Sequence, residues 1–411
     1  MGLFDIFRGK GARDRFGKRA VKRLVELGWT QALRFDPATF TIELGPDAGT
    51  AELENIFKKW SRVPKRDQGT ALDQALAFAF ELGPNPTFED AAPMLLPIVR
   101  SRLRMMALPL HAAKPAEPNG SAMLNIGDHI AVFPAVDRPH SLAHVTAATL
   151  ADWGRSLDEV MALARENLAK LPTPAFEVLD EGVLISNFGD YHDASRLLRP
   201  ELFKALNLKG DPVVVAVSPE TLLVAGSQDI TGLTNLGSLA PGALADAVRP
   251  ISWVPIILRN GDWTMFQSDL TPIRNLYALQ KLHDYGQHWH HLADGLEVNG
   301  LLIKVAEYCL VEDDNHLLLG VTQWERPGTI LPQADLIILS DEIEGNLVRY
   351  WEDVAIAYGG FVIELHGTTP YAYAGDWPDA EATTKIRAAK CPPWLEGKAV
   401  SLVNGRLTAF G

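Results

Sequence analysis

NFGDYHDASRLLRPELFKALNLKGDPVVVAVSPETLLVAGSQD, from Asn187 to Asp229, is the stretch from which the rest of the chain is best read. It spells a helical segment, a loop, a strand, a four-residue turn and a return strand. Asp193 is placed to cap a short helix through Leu198. Pro200 suits the first turn of a second helix, where its missing N–H costs nothing. Val213–Val217 is a buried-strand run, Ser218-Pro219-Glu220-Thr221 a turn, and Leu222–Ala225 the return strand.

Downstream, a helix is expected around Leu244–Val248. A hairpin, Val254–Leu258 and Trp263–Gln267, follows around Asn260-Gly261, the strongest short hairpin dipeptide. Residues 272–292 read as a long helix. Beyond it, Leu301–Val311, Leu317–Val321 and Ala334–Leu339 read as strands. A helix over Ser340–Tyr358 carries Ile343, Leu347, Trp351, Val354 and Tyr358 on one stripe, and Gly359-Gly360 ends it. With Phe361–Leu365 as the next strand, this order predicts a parallel crossover. Val400–Val403 and Leu407–Phe410 form a closing hairpin around Asn404-Gly405.

Upstream, Phe176–Leu179 and Val183–Ser186 alternate as a hairpin. Ser156-Leu157-Asp158-Glu159 has the form of a capping box for a helix that stops before Pro172. His129–Val136 is a strand candidate. Near the start, Phe16, Ala20, Leu24 and Leu27 recur at helical spacing from Asp14, and Gly28 ends the run. A hairpin is expected around Asp36-Pro37-Ala38-Thr39, with helices over 51–60 and 67–82.

These elements give an α+β fold of mixed α/β character. It comprises a small N-terminal helix–hairpin–helix unit over 13–107, a central mixed-sheet domain over 121–270, and a helix plus C-terminal α/β module over 271–411. The last is a candidate divergent repeat of the central strand–strand–helix–strand order. Residues 108–120 read as a Pro/Ala/Gly-rich linker. Residues 1–12 read as a separate apolar and basic element.

The 411 residues, 47% apolar and 22% charged, suffice for several packed cores. No apolar run is long enough to span a bilayer, and the start lacks the pattern of a secretory signal. Two cysteines exclude a disulfide framework and make a reducing cytoplasm the expected compartment. The net charge of −13 is uneven. Residues 1–23 hold eight Lys/Arg against Asp5 and Asp14, so the remainder carries 30 basic and 49 acidic groups, a net of −19. An acidic body repels phosphate backbones, which disfavours nucleic acid as partner. Residues 1–23 alone suit a weak membrane-surface contact, with Leu3, Phe4, Ile6 and Phe7 entering the headgroups.

Leu27-Gly28-Trp29, Pro97-Ile98-Val99-Arg100-Ser101, Ala164-Arg165-Glu166-Asn167-Leu168, Asp190-Tyr191-His192-Asp193-Ala194-Ser195-Arg196-Leu197-Leu198, Val215–Leu223 and Val254-Pro255-Ile256 occur in this order. In these runs the chain resembles the uncharacterised bacterial YtpQ-like proteins over roughly residues 14–270. The resemblance implies a fold and no activity, and the portion beyond 270 resembles nothing further.

Tyr191, His192, Asp193, Ser195, Arg196 and Glu220 are the ligand-binding candidates. His, carboxylate and hydroxyl are the ingredients of acid–base work. Successive helical side chains diverge by roughly 100°, however, so His192, Asp193 and Ser195 are not expected to converge as a triad, and no catalytic residue is assigned. Arg196 suits an ion pair or an anionic ligand. His288 and His291, with Asp284, are the metal candidates, since i,i+3 and i,i+4 positions share a helix face. His140 and His144 share the same spacing, although Pro139 argues against a helix there. Phosphate cradles and nucleophile elbows are absent, and no cofactor is expected. Cys309 reads as a core residue and the ten tryptophans mainly as core filling. The favoured function is binding of a protein or small ligand without catalysis. The alternative is a metal-assisted hydrolase using the 283–291 histidines.

Overall fold

The computed structural model describes residues 3–45, 50–81, 86–105, 122–139, 141–292, 296–298, 301–325, 327–341, 345–366, 369–396, 399–403 and 406–410, with side chains undescribed at parts of these, including 3–10, 288–292 and 399–410. The fold is α+β, with several antiparallel and mixed sheets. The chain divides into two compact units: residues 1–97, 120–123 and 133–171, and residues 98–119, 124–132 and 172–411. No helix among the described residues is long and apolar enough to cross a membrane. The proposed linker at 108–120, His140 and the Asn404-Gly405 turn lie outside the described residues.

In the first unit, helix α1 runs unbroken from Leu3 to Glu26, so residues 3–12 are its first turns and not a separate element. Gly9 and Gly11 lower helix propensity by only about 1 kcal/mol each, too little to interrupt it here. At its other end, Gly28 takes φ 101°, and the Trp29 N–H closes on the Leu24 carbonyl. Phe16, Ala20 and Leu24 are buried in a core with Ile42, Leu44, Leu53, Leu72 and Leu76. The expected hairpin forms as Arg34–Asp36 against Thr41–Glu43. Thr50–Glu52 adds a third strand where a helix was expected from 51, and that helix starts at Glu54. The cations of α1 turn to this same unit: Arg13 to Glu54, Arg23 to Asp73 at 2.5 Å, Arg19 over the Trp60 ring. Helix α2, Leu157–Lys170, has the full capping box of Ser156 and Glu159.

The second unit holds a six-stranded antiparallel sheet. Its strand order is Asp262–Met265, Ile256–Arg259, Pro212–Ser218, Thr221–Gly226, Val183–Ile185, Glu177–Asp180. Asn260 and Gly261, both at positive φ, make the expected turn between the first two. The Pro212–Ser218 and Thr221–Gly226 strands are buried almost throughout, because helices cover them and neighbouring strands flank them. Helix α3, Ile230–Asp246, is far longer than the segment expected near 244. Gly232, Gly237, Pro241 and Gly242 all lie inside it. Here Asp229 caps the helix through the Gly232 N–H, and two of the glycines permit close approach of other backbone.

Helix α4, Thr271–Leu292, packs on α3 and supplies Ile273 and Leu276 to the core of the six-stranded sheet. About two and a half turns further on, Tyr285 joins a core with Val305, Tyr308 and Tyr371. The expected strand Leu301–Val311 is two strands, Leu301–Val305 and Tyr308–Glu312, which enter different sheets. The helix expected over 340–358 is instead the strand Gly345–Tyr350 followed by Trp351–Tyr358. Residues 345–350 pair antiparallel with Leu336–Asp341, so tertiary pairing overrides the helical stripe. The expected crossover from the 336–341 strand to Val362–His366 is therefore not made. The parallel pairs are Leu318–Trp324 with Leu336–Asp341, and Leu301–Val305 with Thr329–Pro332. The candidate repeat differs in element order and pairing: its first copy opens on an antiparallel hairpin, whereas in the second the strands Thr329–Pro332 and Gly345–Tyr350 intervene and the opening pair is parallel. Trp324 and Trp351 are buried core residues, with Trp377 packed alongside. Cys309 is buried too, and burial pushes its thiol up to about 12, which leaves it inert.

Two glycines of α3 separate packing from propensity. A Cβ on Gly237 would lie 2.7–2.9 Å from Pro272, main chain included, whereas nothing lies within 4 Å of one on Gly242. Gly237→Ala is expected to lose about 1–3 kcal/mol by forcing α3 and α4 apart. Gly242→Ala should gain up to about 1 kcal/mol from helix propensity. Urea unfolding of the two variants checks both signs.

Candidate functional site

The Asp190–Leu198 run folds as a loop followed by a 3-10 turn, Ala194–Leu198, and not as the expected α-helix. Tyr191 at φ 65° turns the chain, and its ring is 61% exposed. The next residues go inward: His192, Asp193, Ser195 and Arg196 are all buried. Arg196, wholly buried, donates both terminal nitrogens to Asp190, at 2.9 and 2.6 Å, and one of them also to the Pro172 carbonyl at 2.7 Å. Its guanidinium lies over the Phe188 ring at 4.7 Å. Asp190 also accepts the His192 N–H at 3.0 Å.

Asp193 sits at the cap position, yet its side chain does not cap the turn. It reaches back to accept the Phe188 N–H at 3.0 Å, while its Oδ2 is buried with no hydrogen-bond partner among the described residues. Asp190 and Asp193 thus serve different neighbours. Burial pushes the Asp190 carboxyl up, but Arg196 and the His192 N–H outweigh this and hold it below the ordinary carboxylate range. Burial raises the Asp193 carboxyl, and the Phe188 hydrogen bond does not fully offset that. The Ala194 N–H donates to the Pro219 carbonyl, and the Leu222 N–H to Ser186 Oγ. The segment is thereby docked on the turn that carries Glu220, whose own N–H goes to Ser218 Oγ. The recorded partner of Arg196 is Asp190, not Glu220.

A second polar group, missed in sequence, lies along α4. Gln280 Oε1 accepts the Trp253 N–H at 2.8 Å and the Ser252 hydroxyl at 3.2 Å, while its Nε2 donates to Asp284 at 2.7 Å. His129 Nδ1 stands 3.6 Å from the other Asp284 oxygen. Burial, with the Arg102 charge, holds His129 neutral down to about 4, against the opposing pull of Asp128. His283 packs against the Trp253 ring in a tilted pair, and its burial lowers its pKa. Asp284 is therefore engaged within the protein. The side chains of His288 and His291 lie outside the described residues, and no group of three metal-ligating side chains occurs among those described.

The outer face of α4 lines a cleft of about 440 Å³ with Gln267–Asp269, Leu317–Leu319 and Asp335. Asn275 secures one wall, donating to the His316 carbonyl at 2.9 Å and accepting the Leu318 N–H at 2.8 Å. Tyr277 secures the other through a 2.6 Å hydrogen bond to the Phe266 carbonyl, and burial raises its hydroxyl to about 12. Arg274 and Lys281 reach this cleft from positions seven apart. The only hint of this in sequence is that spacing, which leaves two cations on one helical face.

The chain is similar to three curated bacterial proteins. It is 26% identical over 267 residues to the UPF0354 protein of Shouchella clausii, an alignment covering 60% of this chain and 92% of that protein. With a UPF0354 protein of Listeria monocytogenes it shares 28% identity over 154 residues, 36% of this chain and 58% of that one. A UPF0354 protein of Listeria welshimeri is 27% identical over the same length, with the same shares covered. The resemblance to an uncharacterised bacterial family stands on these relatives. No family model matches the chain, and no solved structure does.

The Asp190–Arg196 pair makes the stability acid-sensitive. A carboxyl whose folded pKa is depressed contributes above its unfolded pKa and stops contributing as pH falls through the folded value. Asp190→Asn is expected to cost about 3–5 kcal/mol at pH 7 by stranding the buried guanidinium. The gap to the parent should shrink progressively below about pH 4, where the unfolded chain takes up the proton first and the folded carboxyl follows at lower pH. Urea titrations across pH test this, and a gap independent of pH would assign the loss to packing.

Proposed function

We propose that the protein binds a small ligand or a partner protein without transforming it. The observation that carries this reading is the fate of the polar residues in the Asp190–Arg196 run. Arg196 is committed to Asp190 and Pro172, and Asp193 accepts the Phe188 N–H, so these charged groups brace the fold. No group of three metal-ligating side chains occurs among the described residues. The charge of −19 outside residues 1–23 speaks against nucleic acid as the partner. A membrane contact through residues 1–23 would fall to the first turns of α1, because Phe16, Ala20 and Leu24 are spent on the core of their own unit. The two free thiols suit a reducing compartment such as the cytoplasm.

Ligand-observed NMR on the full chain, with a mixture of small acids, amines, sugars and nucleosides, tests the reading. Saturation transfer to at least one compound without new resonances on long incubation is expected. Product resonances would make the protein an enzyme, and a stoichiometric transition metal in the purified protein would favour the hydrolase based on residues 283–291.

A further inference from the structure

The steepest charge contrast in the chain falls on one helix. Residues 1–23 hold eight Lys/Arg against two Asp, whereas the remainder carries −19. From Leu3 onward those residues belong to α1, which runs unbroken to Glu26. Its C-terminal half is turned inward by Phe16, Ala20 and Leu24, all buried in the core of their unit. Successive helical positions advance by roughly 100°, so the opposite side of the axis carries Lys18, Lys22 and Val25. Their exposure agrees: the Lys18 and Lys22 side chains are 73% and 80% exposed, and Val25 is 59% exposed.

Carried toward the N-terminus, the same advance puts positions 3, 4 and 7 on this outward side and position 6 nearer the inward one. Positions 3, 4 and 7 are Leu, Phe and Phe. The outward line of α1 therefore begins with three large apolar residues and continues with cations. The unit's own core is met by the other side of the helix, so it does not account for these three.

The cations divide in the same way. Those toward the unit are matched there: Arg13 with Glu54, Arg23 with Asp73, and Arg19 over the Trp60 ring. Among the described residues, Lys18 and Lys22 meet only acids of α1 itself, Asp14 at 3.3 Å and Glu26 at 3.7 Å. Exposed i,i+4 contacts of this kind are weak and leave both lysines able to turn to another anion. Arg15 is exposed beside them.

We propose that α1 is an interfacial helix that docks its unit on an anionic phospholipid surface. Leu3, Phe4 and Phe7 enter the headgroup region, Arg15, Lys18 and Lys22 meet lipid phosphates, and the Phe16–Leu24 stripe stays on its core. An apolar anchor beside a basic patch supplies the two signals that stable attachment needs. The same surface repels the acidic body, which confines the contact to α1. This develops the membrane contact named above and stands apart from the ligand reading, since the NMR mixture contains no lipid.

Co-sedimentation of the full chain with vesicles of phosphatidylglycerol and phosphatidylcholine, set against phosphatidylcholine alone, tests the proposal. Binding to the mixed vesicles is expected at low salt and should fall as sodium chloride is added, with little binding to phosphatidylcholine. Phe4→Ser with Phe7→Ser should weaken it about tenfold or more. Ile6→Ser should weaken it far less than Phe7→Ser, because position 6 is not outward. Lys18→Gln and Lys22→Gln should each cost about fivefold. The thermal midpoint should stay unchanged in the outward variants and report an intact fold. No binding to mixed vesicles, equal binding to both vesicle types, equal losses from Ile6→Ser and Phe7→Ser, or a DNA duplex bound as tightly as the mixed vesicles overturns the proposal. Saturation transfer in the NMR mixture would still uphold the ligand reading after any of these.

Discussion

Helix α4 is tied into its unit by polar side chains that hydrogen-bond to main chain on several different segments. Asn275 holds 316–318, Tyr277 holds Phe266, and Gln280 holds Trp253 together with Ser252. A buried polar atom left without a partner costs on the order of 1–3 kcal/mol, so each of these contacts fixes both its own position and the loop it grips. The apolar residues between them divide their work: Ile273 and Leu276 pack with the six-stranded sheet, Tyr285 with the Tyr308 and Tyr371 rings. Apolar contact is tolerant of sliding, whereas these hydrogen bonds are not. They set the register in which α4 lies and hence the distance between the walls of the cleft.

The same division of labour explains the Asp190–Arg196 run. An arginine with no exposed surface must find a counter-charge and acceptors or unfold the segment around it. Asp190, the Pro172 carbonyl and the Phe188 ring meet that demand, and the loop from Ser186 to Leu198 is shaped around the result. Tyr191 is left outside at positive φ because both its neighbours turn inward.

Much of this was legible in the chain. Ser156 with Glu159, Gly28, Asn260-Gly261, Pro200 and the Val213–Val217 run each carry a local physical instruction, and each is obeyed. Misreadings arise where the deciding partner is remote. Gly237 looks like a breaker until Pro272 is seen to need its missing Cβ, and Leu347 looks helical until Leu339 is seen beside it. Asp193 was read as a cap because caps are local, but the Phe188 N–H competes for it. The cleft was illegible for the same reason. Its cations were plain in sequence, but its apolar wall comes from residues some forty positions away, brought in by Asn275.

That wall bears on what the relatives share. The alignment with the Shouchella clausii protein spans nearly all of that protein but only 60% of this chain. The resemblance read from residues ends near 270, just before α4 begins. Arg274 and Lys281 lie just past that end, and Leu317–Leu319 and Asp335 well past it. The six-stranded sheet and its Arg196 knot lie within the stretch whose residues carry the resemblance, and α4 with most of the cleft lies beyond it.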